Sequence, residues 1–227
     1  MVKVFSLKLD NALNEYCYQY LINKTSEDKK RKVIAFYQKD DAYRSLFADF
    51  LARYVIIEFS DLKNEQISFL HTTYGKPLLE TQHNFYFNIS HSGDWIVCAV
   101  DNAPVGIDVE YIAPIELDIS QYFSIHERED LLSQKKEMQP FYFYELWTLK
   151  ESYIKQVGMG LSIPLTSFSI SILEKDNITL RIGLQTVKTV FFKQYDIDTH
   201  YKMAVCAQAN SFDDIKQVLL QEIINIF

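Results

Sequence analysis

The chain is poor in the residues that mark secreted, membrane-spanning or zinc-stapled proteins. Cys17, Cys98 and Cys206 are the only cysteines in 227 residues. An odd, widely scattered set excludes a disulfide framework and points to reduced thiols in a cytoplasmic setting. Cys98 and Cys206 stand inside apolar runs, as small core hydrophobes do. His71, His83, His91, His126 and His200 share no ligand spacing with one another or with cysteine, so zinc is not expected. No stretch nears the roughly 20 apolar residues of a membrane span. The start, Met1 to Asp10, alternates as a strand does and lacks a signal peptide's apolar core. Acids outnumber bases, 30 to 23, for a net charge of −7. Sequence-independent binding to nucleic acid is therefore not expected. The absence of a GxxxxGK[ST] loop removes P-loop phosphoryl transfer.

What remains is 48% hydrophobic and 23% charged, enough to fill a real core in one large or two small domains. Two short segments carry the chemistry. Pro104-Val105-Gly106-Ile107-Asp108-Val109-Glu110 alternates, so Asp108 and Glu110 share one strand face while Val105, Ile107 and Val109 take the other. Trp147-Thr148-Leu149-Lys150-Glu151-Ser152-Tyr153-Ile154-Lys155 is helical, and it sets Glu151 and Lys155 one turn apart on one face. Alone, an Asp-x-Glu strand end is more often an ordinary solvated face. With a third carboxylate and a lysine from a helix, it suits a hard cation bound to a polyphosphate.

Order and element types repeat along the chain. A helical pattern from Asp41 to about Glu58 is followed by the turn Tyr74-Gly75-Lys76-Pro77 and a strand from Asp94 to Val100. A helical pattern from Phe141 to Val157 is followed by a glycine-rich turn ending at Pro164 and a strand from Tyr201 to Ala207. The expectation is an α+β fold of two similar α/β subdomains related by a pseudo-twofold. They would cover residues 1–104 and 105–227, with the active site at their interface. Basic residues crowd the first half. Asp28-Lys29-Lys30-Arg31-Lys32 reads as a helix start, with Ser26 as its cap and Lys29 and Lys32 on one face.

Six blocks in this order resemble the Sfp-type (surfactin-synthetase-activating) 4′-phosphopantetheinyl transferases. They are Phe36-Tyr37 through Asp41-Ala42-Tyr43-Arg44, Tyr74-Gly75-Lys76-Pro77, Phe87-Asn88-Ile89-Ser90-His91-Ser92-Gly93, Gly106 to Glu110, Trp147 to Ser152, and Gly158 to Leu165. The likeness spans nearly the whole chain. It implies transfer of the 4′-phosphopantetheine arm of coenzyme A to a serine of an apo carrier protein, releasing 3′,5′-ADP. It further implies Mg²⁺ or Mn²⁺ held by Asp108, Glu110 and Glu151, with Glu151 as base, or a metal-bound water as relay in its place, and Lys155 assisting the leaving group. Lys29, Lys32, Arg44, Ser90 and His91 match positions at the coenzyme A phosphates. Tyr74, Gly75, Lys76 and Pro77 match the adenine loop, with Lys76 near the phosphates. Lys150, about 100° around the helix from Glu151, contacts a different part of the substrate or of the protein, and is counted with the coenzyme A contacts. Trp147 reads as packing.

The implied partners are peptidyl or acyl carrier proteins of nonribosomal peptide or polyketide synthetases, as in antibiotic biosynthesis, and the enzyme would be a monomer. Apolar docking of the carrier is expected through Tyr122, Phe123, Met159, Leu161 and Ile163. Two other classes stay open on the residues alone: a different Mg²⁺-dependent phosphoryl or nucleotidyl transferase, and a catalytically inactive carrier-binding protein.

Overall fold

The computed structural model describes residues 1–9, 11–80, 84–115, 122–174 and 177–227. Asp10 and His83, named above, lie outside them. The chain begins with β1 (Val2–Lys8), α1 (Asn11–Leu21), α2 (Glu27–Ile34) and α3 (Lys39–Phe59). A small hairpin of β2 (Phe69–His71) and β3 (Pro77–Leu79) precedes β4 (Tyr86–Ser92), β5 (Trp95–Asp101) and β6 (Val105–Tyr111). Then come α4 (Ile125–Ser133), α5 (Gln139–Val157), and a meander of β7 (Phe168–Glu174), β8 (Asn177–Ile182) and β9 (Gln185–Val187). β10 (Phe191–Gln194), β11 (Tyr201–Ala207), β12 (Phe212–Val218) and α6 (Leu220–Ile226) close the chain. The fold is α+β. No helix among the described residues is long and apolar enough to cross a membrane.

Two sheets organise the molecule. The first runs β12-β1-β5-β4 and the second β10-β11-β6. Alternation sorts their side chains. Val2, Val4, Trp95, Val97 and Ala99 meet Val105, Ile107, Val109, Met203 and Val205 between the sheets. Phe5, Leu7, Ile96, Cys98 and Val100 turn the other way and pack on α3. α3 is buried along much of its circumference, from Ala42 through Leu46, Phe50 and Leu51 to Ile56, as expected of a central helix. On the far side, Ala204 and Cys206 of the second sheet pack against Leu146, Leu149 and Ile154 of α5. The chain's end returns to the first half: β12 lies parallel beside β1.

The two sheets meet where β4 and β6 lie side by side, stitched by side chains instead of a backbone ladder. Asn88 Oδ1 accepts from the Ile107 N–H at 2.8 Å, and Ser92 Oγ accepts from the Tyr111 N–H at 3.0 Å. On its other side β6 runs against α5 with almost no gap. A Cβ built on Gly106 would stand 2.0 Å from the Ser152 carbonyl oxygen and 2.3 Å from the Gln156 amide nitrogen. These are backbone atoms and cannot step aside. Only glycine lets strand and helix approach so closely.

Gly106→Ala should therefore overpack this contact and cost ~1–3 kcal/mol or more. Scanning calorimetry should show a thermal midpoint lowered by several degrees. An unchanged midpoint would mean that β6 and α5 have slack at this point.

Candidate active site

The approach of β6 to α5 carries four charged side chains into one place. Asp108 is buried; its Oδ1 accepts from Lys155 Nζ at 2.6 Å and from Ser90 Oγ at 2.8 Å. Lys155 Nζ also donates to Ser90 Oγ at 2.9 Å, closing a three-membered ring of bonds. Glu110, two residues on and on the same face, accepts from Ser92 Oγ at 2.9 Å. Glu151 stands one helical turn before Lys155, half-buried.

The cluster has too little positive charge for its acids. Burial, then repulsion from Asp108, pushes the Glu110 carboxyl up to about 7. Burial likewise raises Asp108, even with Lys155 against it, and Glu151 is raised by burial and by the Asp108 charge. Asp108 Oδ2 is buried with no hydrogen-bond partner. Such an orphaned carboxylate oxygen, with Glu110 and Glu151 near enough to feel the Asp108 charge, suits a hard cation. No group of three His, Cys, Asp or Glu side chains among the described residues is placed to hold a metal ion by itself. Mg²⁺ does not need one, because it binds through one or two carboxylates and completes its octahedron with waters and substrate phosphates. The residues present fit that ion.

A cleft of about 660 Å³ opens on the α3 side of the first sheet. Lys29, Lys32, Arg53, His71 and His91 line it with Asp28 and Asp49, a net positive set, over an apolar floor that includes Phe69, Phe87 and Ile89. Ser26 does cap α2, accepting from the Lys29 N–H at 3.3 Å. Lys29 Nζ donates to Ser45 Oγ at 3.1 Å, and burial lowers its pKa. His91 is exposed at the cleft edge, yet the protein around its ring and the Arg44 and Lys155 charges hold its pKa below the usual histidine value. His91 and Ser90 are neighbours on β4 with side chains on opposite faces. One strand end thus borders both the cationic cleft and the carboxylate cluster.

The two family models fall on this architecture. One for the N-terminal part of 4′-phosphopantetheinyl transferases matches residues 14–103, and one for the 4′-phosphopantetheinyl transferase superfamily matches residues 104–206. The 4′-phosphopantetheinyl transferase ffp of Bacillus subtilis is 41% identical over 219 residues, covering 96% of this chain and 97% of the relative. The 4′-phosphopantetheinyl transferase Sfp of Bacillus subtilis (strain 168) is 39% identical, with 98% and 100% covered. The chain belongs to the Sfp-type 4′-phosphopantetheinyl transferases. The 4′-phosphopantetheinyl transferase gsp of Aneurinibacillus migulanus, 34% identical with 100% and 95% covered, extends the likeness.

Several side chains of this transferase sit elsewhere than the sequence implied. Lys150 is fully buried and spends all three protons inside the second half: on Glu127 Oε1 and Oε2 at 2.7 and 2.8 Å and on the Phe168 carbonyl at 2.9 Å. Its ammonium is thereby committed to the protein. Glu127 is reached because Ser124 caps α4 in a capping box, and its Oε1 also accepts from the Ile170 N–H at 2.7 Å. Lys76 likewise turns from the cleft, donating to the carbonyls of Val105 and Lys155. Arg44 donates to Gly93 O at 3.1 Å and to Asp41 at 2.7 Å, bracing the turn after His91. Of the adenine-loop residues, Pro77 lines the cleft, while Tyr74 is exposed and Gly75 forms the turn at φ +84°. Trp147 stacks on Phe143 at 5.8 Å, a packing role.

Among the apolar docking candidates, Tyr122 and Met159 are exposed. Phe123 is core, and Ile163 packs against that core. The Leu161 side chain lies outside the described residues. Ser45 and Arg53 were missed, although Ser45, Asp49 and Arg53 fall four residues apart on one face of α3. Arg53 donates to Asp49 at 2.8 Å and to the Ile67 carbonyl at 3.3 Å, holding that wall in place.

Two outcomes follow from these burials. Lys150→Met should destabilise by ~3–5 kcal/mol, because Glu127 keeps a buried, unpaired charge. Pairing it with Glu127→Gln, which removes the charge and keeps an acceptor for the Ile170 N–H, should restore much of the loss, and denaturant titration of both variants checks this. For Glu110, a folded pKa of about 7 stands above an unfolded value of about 4.3. The folded state therefore binds the extra proton, and stability is lost as pH rises from 4.3 to 7. In divalent-free buffer Glu110→Gln should be more stable than the native chain at about pH 8, with the gain gone near pH 4. Equal gains at both values would contradict the shifted carboxyl.

Proposed function

We propose that this chain transfers the 4′-phosphopantetheine group of coenzyme A to a serine of an apo carrier protein, yielding holo-carrier and 3′,5′-ADP. The observation that carries the reading is that adjacent residues of β4 border both places: His91 lines the cleft, and Ser90 bonds to Asp108 and Lys155. The cleft suits a nucleotide: Lys29, Lys32 and His91 face it for phosphate, and its apolar floor suits a base. The cluster suits the pyrophosphate that must be broken.

Asp108, Glu110 and Glu151 would hold the magnesium ion. Bound there, it supplies charge neutralisation at the pyrophosphate oxygens. The remaining work belongs to side chains. Glu151 accepts the proton of the attacking serine hydroxyl, and its raised pKa suits that task better than an ordinary carboxylate. Lys155, released from Asp108 by the incoming phosphate, donates to the leaving phosphate oxygen. Ser90 orients both by its bonds to Asp108 and Lys155. The rest is positioning and electrostatics, as phosphoryl chemistry requires.

The division near residue 104 fits this reading, with β12 and α6 assigned to the first unit that they pack against. A helix on each of two stacked sheets supports a duplicated ancestor with a pseudo-twofold. Carrier domains of peptide or polyketide synthetases are the proposed acceptors, met by the exposed Tyr122 and Met159. A monomer acting in the cytoplasm fits the reduced, buried cysteines.

Incubated with coenzyme A and Mg²⁺, an apo carrier should gain the mass of one phosphopantetheine, with 3′,5′-ADP released. An unchanged carrier, or transfer of a nucleotide instead, would overturn the proposal. Asp108→Ala and excess chelator should each lower turnover by about a hundredfold or more. Lys29→Ala should weaken coenzyme A binding by roughly 1.5–3 kcal/mol and leave dephospho-coenzyme A nearly unaffected. Equal losses for the two ligands would remove Lys29 from the 3′-phosphate.

A further inference from the structure

One charged side chain of the β2–β3 hairpin crosses from the first half to the second. The hairpin turn is closed by Gly75 N–H donating to Thr72 O and Thr72 N–H donating to Lys76 O. The Lys76 N–H donates in turn to Thr72 Oγ1 at 3.1 Å, which fixes where its side chain leaves the turn. Lys76 Nζ then donates to the Lys155 carbonyl at 2.5 Å and to the Val105 carbonyl at 3.1 Å.

Both acceptors matter. Lys155 O belongs to the last turn of α5, where carbonyls have no partner within the helix. Gly158, left-handed at φ +81°, ends the helix and gives its N–H to Ile154 O, one residue short of Lys155. A cation at this end also suits the helix dipole. Val105 is the first residue of β6, three before Asp108. The Lys76 stem packs closely on the helix end, since a Cβ on Gly158 would stand 3.2 Å from Lys76 Cδ. Beside it Gln156 Nε2 reaches the Pro104 carbonyl at 3.4 Å, a weaker bond across the same junction. Burial lowers the Lys76 pKa to about 8. The same hairpin puts His71 and Pro77, paired across its strands, into the wall of the cationic cleft.

We propose that Lys76 is a positioning residue: by joining the end of α5 to the start of β6 it sets Lys155 against the reacting phosphate, and it ties that setting to the hairpin that walls the nucleotide cleft. The proposal rests on the reading of Lys155 as the group at the leaving phosphate. It replaces a direct Lys76–phosphate contact, since both bonds of the ammonium go to backbone carbonyls.

The test is a double-mutant cycle of Lys76→Met and Lys155→Ala, with kcat for carrier modification and calorimetric Kd for coenzyme A measured on each protein. Lys76→Met should lower kcat by about tenfold or more, as misplacement of a reacting group does, with Kd nearly unchanged. Once Lys155 is already alanine, the same change should lower kcat by less than about twofold. Lys76→Arg, which keeps the donors and the charge, should recover most of the turnover. Thermal melts establish that each variant is folded at the assay temperature, and Lys76→Gln replaces the methionine variant if that one is not. Tenfold weaker coenzyme A binding at unchanged kcat would overturn the proposal in favour of direct contact. An equal kcat loss with and without Lys155 would overturn it too. Native kcat in Lys155→Ala alone would instead remove the underlying role of Lys155.

Discussion

Everything at this site depends on how closely β6 approaches α5. At Gly106 the strand backbone touches the helix backbone, so a methyl group would have nowhere to go. That spacing determines which charges can meet. Asp108 and Glu110 project from the strand on the helix side, while Val105, Ile107 and Val109 anchor the other face between the sheets. Glu151 and Lys155 project from the helix. A strand displaced by the width of one side chain would leave Lys155 out of reach of Asp108, which it now meets at 2.6 Å. The backbone contact is therefore the origin of the electrostatics.

Those electrostatics are not balanced by the side chains alone. Three carboxylates share one lysine, burial raises all three pKa values, and one buried oxygen of Asp108 has no partner. Folding alone would not gather such groups, because each costs free energy that the fold does not recover locally. The Lys150–Glu127 pair offers a contrast inside the same helix. There every proton of the ammonium has an acceptor, and the pair is complete without any ligand. One lysine of α5 serves the core, and another, one turn and a residue further on, stands at the open cluster.

Much of this was legible in the sequence where the pattern is local. Alternation gave the shared face of Asp108 and Glu110, and helical spacing gave Glu151 with Lys155. Ser26 capping and the Gly158 stop were likewise local. What escaped was long-range. Nothing near Lys150 announces Glu127, 23 residues earlier, as its partner. Nothing in Tyr74-Gly75-Lys76-Pro77 says that its lysine will reach the far end of α5, 79 residues on. The resemblance carried both lysines toward the ligand, whereas packing turned them inward. The return of β12 to pair with β1 was also hidden, since strand pairing over such separation leaves no periodic trace.

The central claim is that the Asp108–Glu110–Glu151 cluster holds a divalent cation against a pyrophosphate. Crystals grown with coenzyme A and Mn²⁺, measured for anomalous scattering at the manganese edge, test it most directly. The account predicts one strong anomalous peak within ligand distance of Asp108 and Glu110, with the pyrophosphate on its other side and Lys155 on phosphate oxygen instead of Asp108. Coenzyme A bound in the cleft with no manganese at these carboxylates, or with manganese held only by other residues, would contradict it.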